Sequence, residues 1–452
     1  MVWVSLSDGG VFGNGERGGR PAGAPNHDAT QAAGYTFLME RPIPRHSLTG
    51  LSALNFAVAA VQTGFGPFVS VWLTREGWSQ TDIGLALSLG TGIALVGQLP
   101  AGMLVDSAHH KRGLTAMALI MLAMSALLLA VPPVRPSVFA AEVLHAVASC
   151  AITPAIASMT LSLCGHAGFS RRLGVNASFS GLGNAAAAAG MGLAAWYFSE
   201  RMVFVLAALL TLPALAAVFS IDHVHPDPDT ADHPAIWHPK ERDSRPWYIF
   251  NEPALHVFAV AIVLFQLGNA ALLPLALNDL TQRGVSTGFV VSAAIMVPPV
   301  IVTLVSPWTG RVAQTRGRRI VLLSGFLALP VRALLFATGP GAIPLVAMQV
   351  LDGVSATVVG LMLPLIAADL TGKTGFLNLA IGSLGLAAGL GATVSTVAAG
   401  FVADRYGPAA AFMGLALVGA SAWLLLYVAM PETRPVPVTR TSGPRRPVPN
   451  RG

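Results

Sequence analysis

Glu142 and His145 stand three residues apart inside a long apolar stretch of this 452-residue chain, and Ser149 follows four residues later. In a helix that spacing puts all three on one face. Further along, Gln349, Asp352 and Ser355 repeat the pattern at an offset of 207, which sets Gln349 on Glu142 and Asp352 on His145. Ionisable groups in apolar surroundings are costly and tend to be kept for function. Carboxyls and imidazoles so placed can exchange protons near neutral pH. Asp352, Glu142 and His145 are therefore candidate proton carriers. A plainer role stays open for each, as a polar pair joining two helices or, for Glu142, as a contact with lipid headgroups near the end of its span.

A second set consists of amides. Gln62-Thr63-Gly64 and Gln266-Leu267-Gly268 lie 204 residues apart, and Asn55, Asn269 and Gln349 add three more. Buried amides can hydrogen-bond a polar solute without fixing its charge, so Gln62, Gln266, Asn269, Asn55 and Gln349 are candidate substrate contacts. Interhelical bonding would explain them equally well. Pro67 and Pro274, in the same stretches, are expected to bend their helices. Arg332 lies about six residues from a span end and is expected to snorkel to the interface.

The elements that must carry these residues are legible from composition. The sequence is 54% hydrophobic and 11% charged, too little charge to cover a water-soluble fold of this length. Twelve apolar stretches recur, each long enough to cross about 30 Å of hydrocarbon, and each is read as an α-helix, which satisfies its own backbone in lipid. Six form a first bundle over 49–220 and six a second over 253–430. The segment 221–252 links them, and tails 1–48 and 431–452 are read as disordered. Of the 27 Lys and Arg, 21 fall in segments that share one side if both termini are cytoplasmic, and five fall on the other. That asymmetry places the termini inside. It also explains the formal charge of +6 without nucleic acid. The linker holds a scatter of His and Asp, read as hydrated chain rather than a metal site, and Trp237, Lys240, Arg242 and Trp247 suggest an interfacial segment. Cys150 and Cys164 are read as unpaired core residues.

Two loops between spans resemble one another. One runs from Gly102 through Asp106 to Lys111 and Arg112; the other runs from Gly310 through Arg316 and Gly317 to Arg318 and Arg319, at an offset of 208. Asn176…Gly183 and Asn378…Gly385 echo each other at an offset of 202. Two repeats in a polytopic chain are a transporter plan. The first loop resembles the signature loop of the major facilitator superfamily, a Gly, an Asp four residues on, then a Gly and a basic run. His109 replaces the second Gly, and Gln314 replaces the acid in the later copy. Gly174 and Gly183 resemble the antiporter signature of the family's fifth helix, but Ala187-Ala188 stands where a Gly-Pro pair belongs, and only Gly192 remains of the final Gly pair.

That resemblance implies an all-α fold of twelve membrane helices in two six-helix pseudo-repeats. The first, fourth, seventh and tenth helices would line a central cavity, bringing Glu142, His145, Gln349 and Asp352 face to face. Gly102, Asp106, Lys111, Arg112, Gly310 and Arg316 to Arg319 would form the cytoplasmic gate. The function read from this is secondary transport of a small organic solute in the cell membrane, first as proton-coupled export. Proton-coupled uptake or uncoupled passage is the alternative, and a non-transporting sensor or scaffold a remote one. No P-loop, H-E-x-x-H or Gly-x-Ser-x-Gly pattern suggests an enzyme or an ATP-driven pump, no cofactor or metal is called for, and a monomer is expected.

Overall fold

A computed structural model describes residues 44–434 apart from residue 66, residue 109 and residues 223–245, 284–287 and 373–374. Every regular element among them is helical. The first half contains α1 (Arg45–Thr63), α2 (Pro67–Arg75), α3 (Gln80–Ser107), α4 (Lys111–Ala130), α5 (Arg135–Tyr197) and α6 (Arg201–Phe219). A 3₁₀ turn at Pro246–Asn251 leads into α7 (Pro253–Asn269), α8 (Leu272–Gln282), α9 (Gly288–Arg316), α10 (Arg318–Ala337), α11 (Ala342–Thr371), α12 (Leu377–Tyr406) and α13 (Pro408–Ala429).

These helices give twelve crossings. α1 with α2 and α7 with α8 each make one broken crossing, and the 63-residue α5 makes two. Its crossings meet at Gly165, whose φ of 60° and ψ of 175° lie in a region that only glycine occupies readily. The breaks in the first and seventh crossings have different causes. α1 stops at Thr63 and the chain restarts at Pro67, as the proline predicts. The other break precedes Pro274, at Ala270–Ala271, where the Ala271 N–H donates to Ser395 Oγ of α12 at 3.1 Å. A partner on a neighbouring helix satisfies the freed backbone group.

Most helix ends follow ordinary capping rules. Ser79 Oγ accepts from the Asp82 N–H ahead of α3, and prolines stand at the starts of α5, α7 and α13, where a missing N–H costs nothing. The largest apolar clusters divide at the linker. One uses residues between Leu51 and Ile221, while the other uses residues between Ile249 and Met430 together with Ala157 and Phe169. Outward-facing apolar side chains such as Val96, Leu193, Ile343 and Val397 cover the lipid face, and Trp196, Tyr197 and Phe198 form an aromatic edge.

The expected tails need adjustment. The first helix starts at Arg45, so 45–48 are helix rather than tail. Residues 431–434 are held against the second half, as described below. The remaining tail segments, and the linker residues with His/Asp clustering and Trp237, lie outside the described residues.

The halves meet along two seams built on small residues. On one, α5 packs against α9: a side chain at Gly174 would strike the backbone of Ser306, Pro307 and Gly310, and one at Gly181 would strike Pro299 and Thr303. On the other, α3 packs against α12, with Gly102 against the Asn378 carbonyl and Gly382 against that of Gln98. Such approach is what glycine allows in membrane helices.

Candidate functional site

The signature loop closes one end of the α3–α12 seam. Asp106, 6% exposed, sits in the last turn of α3 and points at the first turn of α12. Its Oδ1 accepts from the Asn378 N–H at 3.0 Å and from Asn378 Nδ2 at 2.6 Å, and its Oδ2 accepts from the Leu379 N–H at 2.8 Å. A helix N-terminus leaves N–H groups without partners and carries positive partial charge, so a carboxylate is the side chain that suits it. Asn378 also exchanges hydrogen bonds with Ser158 of α5, which ties α3, α5 and α12 together. Lys111 lies within Coulombic reach of Asp106. Arg112 instead turns to α6, donating to the Phe219 carbonyl at 2.7 Å and lying over its ring. His109 lies outside the described residues.

The second loop is not a mirror of the first. Gln314, at the acid's place, donates from Nε2 to the Ala167 carbonyl of α5 at 2.5 Å. Ser170 Oγ donates to the Gly310 carbonyl at 2.8 Å and Ser178 Oγ to that of Thr303 at 2.5 Å. Gly310 therefore sits on the seam as expected, but the basic run does not. Arg318, 4% exposed, pairs with Asp369 of α11 at 3.0 Å and donates to the Ala313 carbonyl. Glu432 accepts from the N–H groups of Arg318, Arg319 and Arg434, capping α10. Burial of Glu432 alone would raise its pKa, but these three donors outweigh it and hold the carboxyl below the usual Glu value. Thr433 donates to Asp369, Arg434 to the Thr315 carbonyl, and Arg319 to that of Tyr427. Gly317, at φ 107°, lies against the Glu432 carboxylate, and Arg316 is exposed. Arg318 and Arg319 thus bind their own half rather than reach across to the other, because Glu432 and Asp369 offer nearer carboxylates.

The membrane-embedded polar residues fall into separate groups. Asp352 of α11 forms an ion pair with Arg332 of α10, and Arg332 Nη2 donates to Asn269 Oδ1 at the end of α7. Arg332 is 2% exposed and Asp352 22%. The expected snorkelling of Arg332 is therefore corrected: the side chain points inward, where a carboxylate and an amide receive it. Gln349, one turn before Asp352, is fully buried, and neither its Oε1 nor its Nε2 has a partner among the described residues. Ser355 bonds the Gly325 carbonyl of α10.

In the first half, Glu142 is buried against Gly90 of α3, with Oε1 unpartnered among the described residues. His145 stacks on Phe65 at 4.1 Å between ring centroids. No hydrogen bond or ion pair joins Glu142 or His145 to Asp352 or Gln349, so the face-to-face cluster expected from the repeat is not formed in this conformation. Asn55 is occupied by the Leu51 carbonyl and Ser180. Gln62 and Gln266 are partly buried and make no side-chain hydrogen bond within the described residues. Besides Arg318 and Arg319, sequence reasoning misplaced Arg332, the one Lys or Arg that it left inside a span.

Twelve apolar crossings, two glycine seams between halves and a carboxylate at one seam's end define a polytopic membrane transporter. The chain belongs to the major facilitator superfamily: the model for "Major Facilitator Superfamily" matches residues 51–341 and 258–451. Two uncharacterized MFS-type transporters of Mycobacterium tuberculosis, from strains CDC 1551 / Oshkosh and ATCC 25618 / H37Rv, are each 34% identical over 400 residues, covering 86% of this chain and 94% of the relative. The fold is similar to that of the human organic anion transporter MFSD10 (TM-score 0.69, 15% identity, 85% of this chain and 100% of that one). It is also similar to the Escherichia coli fucose:proton symporter (TM-score 0.66, 14% identity, 84% and 97%) and to the proton:xylose symporter XylE (TM-score 0.66, 13% identity, 86% and 96%). As in its family, this protein is a transporter and not an enzyme.

Proposed function

We propose that the protein couples proton movement to transport of a small organic solute by alternating access, with export as the first reading. The observation that carries it is the Asp352–Arg332–Asn269 group. Asp352 is the reachable end of an ion pair whose other member is enclosed. A proton arriving on Asp352 cancels the charge that holds Arg332, and a buried cation without its partner is strongly unfavourable. Arg332 must then lean on Asn269, at the break between α7 and α8, so a protonation event on α11 is felt where the seventh crossing bends. Gln62 and Gln266, in the two broken crossings, have amide groups without a side-chain hydrogen bond among the described residues and so available to a solute. Glu142 and His145 are secondary proton candidates in the first half.

Asp106 on the start of α12 is the latch of the inner gate, with Gly102 and Gly310 allowing the halves to close. The basic-rich end is placed in the cytoplasm. The opposite end carries fewer Lys and Arg, which supports that orientation, and its Arg75, Arg135, Arg201 and Arg283 are each paired with an acid of that same end. Uptake is the second reading, favoured by Ala187-Ala188 in place of the antiporter Gly-Pro.

The test is pH-gradient-driven flux of pooled metabolites and cationic drugs in proteoliposomes, wild type beside Asp352→Asn. Gradient-driven flux that disappears in Asp352→Asn is the expected result, and its direction relative to the proton separates export from uptake. Flux indifferent to the gradient in both proteins would remove proton coupling.

A further inference from the structure

A cavity of about 440 Å³ lies away from the polar groups above, between α1 and the second crossing of α5. Leu48, Ala53, Phe56, Phe179 and Leu182 supply apolar walls, and Thr49, Ser52 and Arg172 a polar end. Phe179 and Leu182 are 37% and 47% exposed, so the cavity opens sideways toward lipid. Arg172 is anchored by one nitrogen: Nη2 donates to the Leu48 carbonyl at 2.6 Å and to Ser52 Oγ at 2.8 Å. Nε is buried without a partner among the described residues, Nη1 makes no hydrogen bond to them, and no acid lines the cavity. Arg171 beside it is exposed.

We infer that this groove holds an anionic phospholipid of the leaflet on the signature-loop side, its phosphate on Arg172 and one acyl chain along Phe56, Phe179 and Leu182. Three features point to this occupant. A guanidinium fixed through Nη2 keeps its full charge in place and offers Nη1 as a donor to a phosphate oxygen. Arg172 stands at the level of Ser170 and Gly310, the end where the halves close, so the charge lies at headgroup depth. From Arg172 to Leu182 the helix rises about 15 Å, half of a hydrocarbon core of about 30 Å, which is the length of one leaflet's chains. The bound lipid would brace α1 against α5 beside the α5–α9 seam. The inference does not depend on the direction or coupling of transport.

Native mass spectrometry of the full chain in detergent, titrated with phosphatidylglycerol or phosphatidylcholine of matched chains, tests it. Wild type should retain one phosphatidylglycerol in preference to phosphatidylcholine. Arg172→Gln should weaken that retention about tenfold, while Arg171→Gln leaves it unchanged. Because Arg172→Gln also removes bonds to α1, Leu182→Trp serves as a second variant: it fills the apolar end, leaves Arg172 intact and should lower retention too. Inorganic phosphate should not displace the lipid. Equal retention of both lipids by wild type, equal loss in Arg171→Gln and Arg172→Gln, undiminished retention in Leu182→Trp, or displacement by phosphate would each overturn the assignment.

Discussion

Replacing Asp106 by Asn is the sharpest probe of the gate, because the change keeps shape and removes charge. The native carboxylate accepts three hydrogen bonds, two of them from backbone N–H groups of the first turn of α12. An amide can keep one oxygen as acceptor, but its NH₂ then faces the other donors. Bonds to a charged acceptor are worth about 1.5–3 kcal/mol each, and a carboxylate at a helix N-terminus adds roughly 0.3–1 kcal/mol. Water replaces these partners when the halves part, so the net loss should be near the value of one charged bond and its dipole contribution, about 2–4 kcal/mol. At 1.4 kcal/mol per factor of ten, the closed state would lose a factor of roughly 30 to 700 relative to the open one. The assay is maleimide labelling of Ser162→Cys, which lines a small cleft of about 50 Å³ with Asp106 and His166. Cys150 and Cys164 must first be replaced by Ala, since both are free thiols. Faster labelling in Asp106→Asn is expected, with impaired flux. Labelling at the wild-type rate together with intact flux would refute the reasoning.

Other perturbations test other parts of the structure. Asp352→Asn should cost about 3–5 kcal/mol in thermal stability by leaving the buried Arg332 charge unpaired, and Arg332→Met should cost less because Asp352 is partly exposed, whereas the double variant should recover the fold but not gradient-driven flux; a double variant as unstable as Asp352→Asn would speak against the pair. Gly165→Ala should destabilise the protein by about 1–3 kcal/mol although open space surrounds the site, because the backbone there suits only glycine, and an unchanged melting midpoint would contradict the kink. Gly174→Leu should prevent the α5–α9 closure against Ser306 and Gly310, seen as lost flux with increased Ser162→Cys labelling. The Glu432 carboxyl titrates below its unfolded value, so its contribution is present above the ordinary Glu range and is lost as pH falls through the folded pKa. Proteolysis of the tail after residue 434 should therefore accelerate on acidification in wild type, and should already be fast and insensitive to pH in Glu432→Ala.

Much of the fold is written in one-dimensional signals. Twelve crossings follow from apolar length, because lipid leaves the backbone few choices. The repeat offsets also marked real seams: Gly102, Asp106, Asn378 and Gly310 all lie where the halves touch. Side-chain partners were less legible. Asp352 in a span called for a cation, and Arg332 was the one available, but periodicity says nothing about which way a side chain points from α10. The offset of 207 set Gln349 on Glu142 and both are buried, yet it could not tell that each half had enclosed its own. Arg318 and Arg319 were misassigned for a related reason. Their partner, Glu432, lies 113 residues from Arg319, beyond the last crossing, where no repeat register reaches.

The two seams differ in how they are fastened. Along α5 and α9 the bonds are neutral and come at successive heights, from Ser178 through Ser170 to Gln314. Along α3 and α12 the glycines supply close packing, and the hydrogen bonds gather on one carboxylate at the very end. A distributed fastening must be undone step by step, while a concentrated one lets go in a single event. When this end opens, the α3–α12 side is therefore released first and the α5–α9 side serves as the pivot, so the first aperture is lopsided.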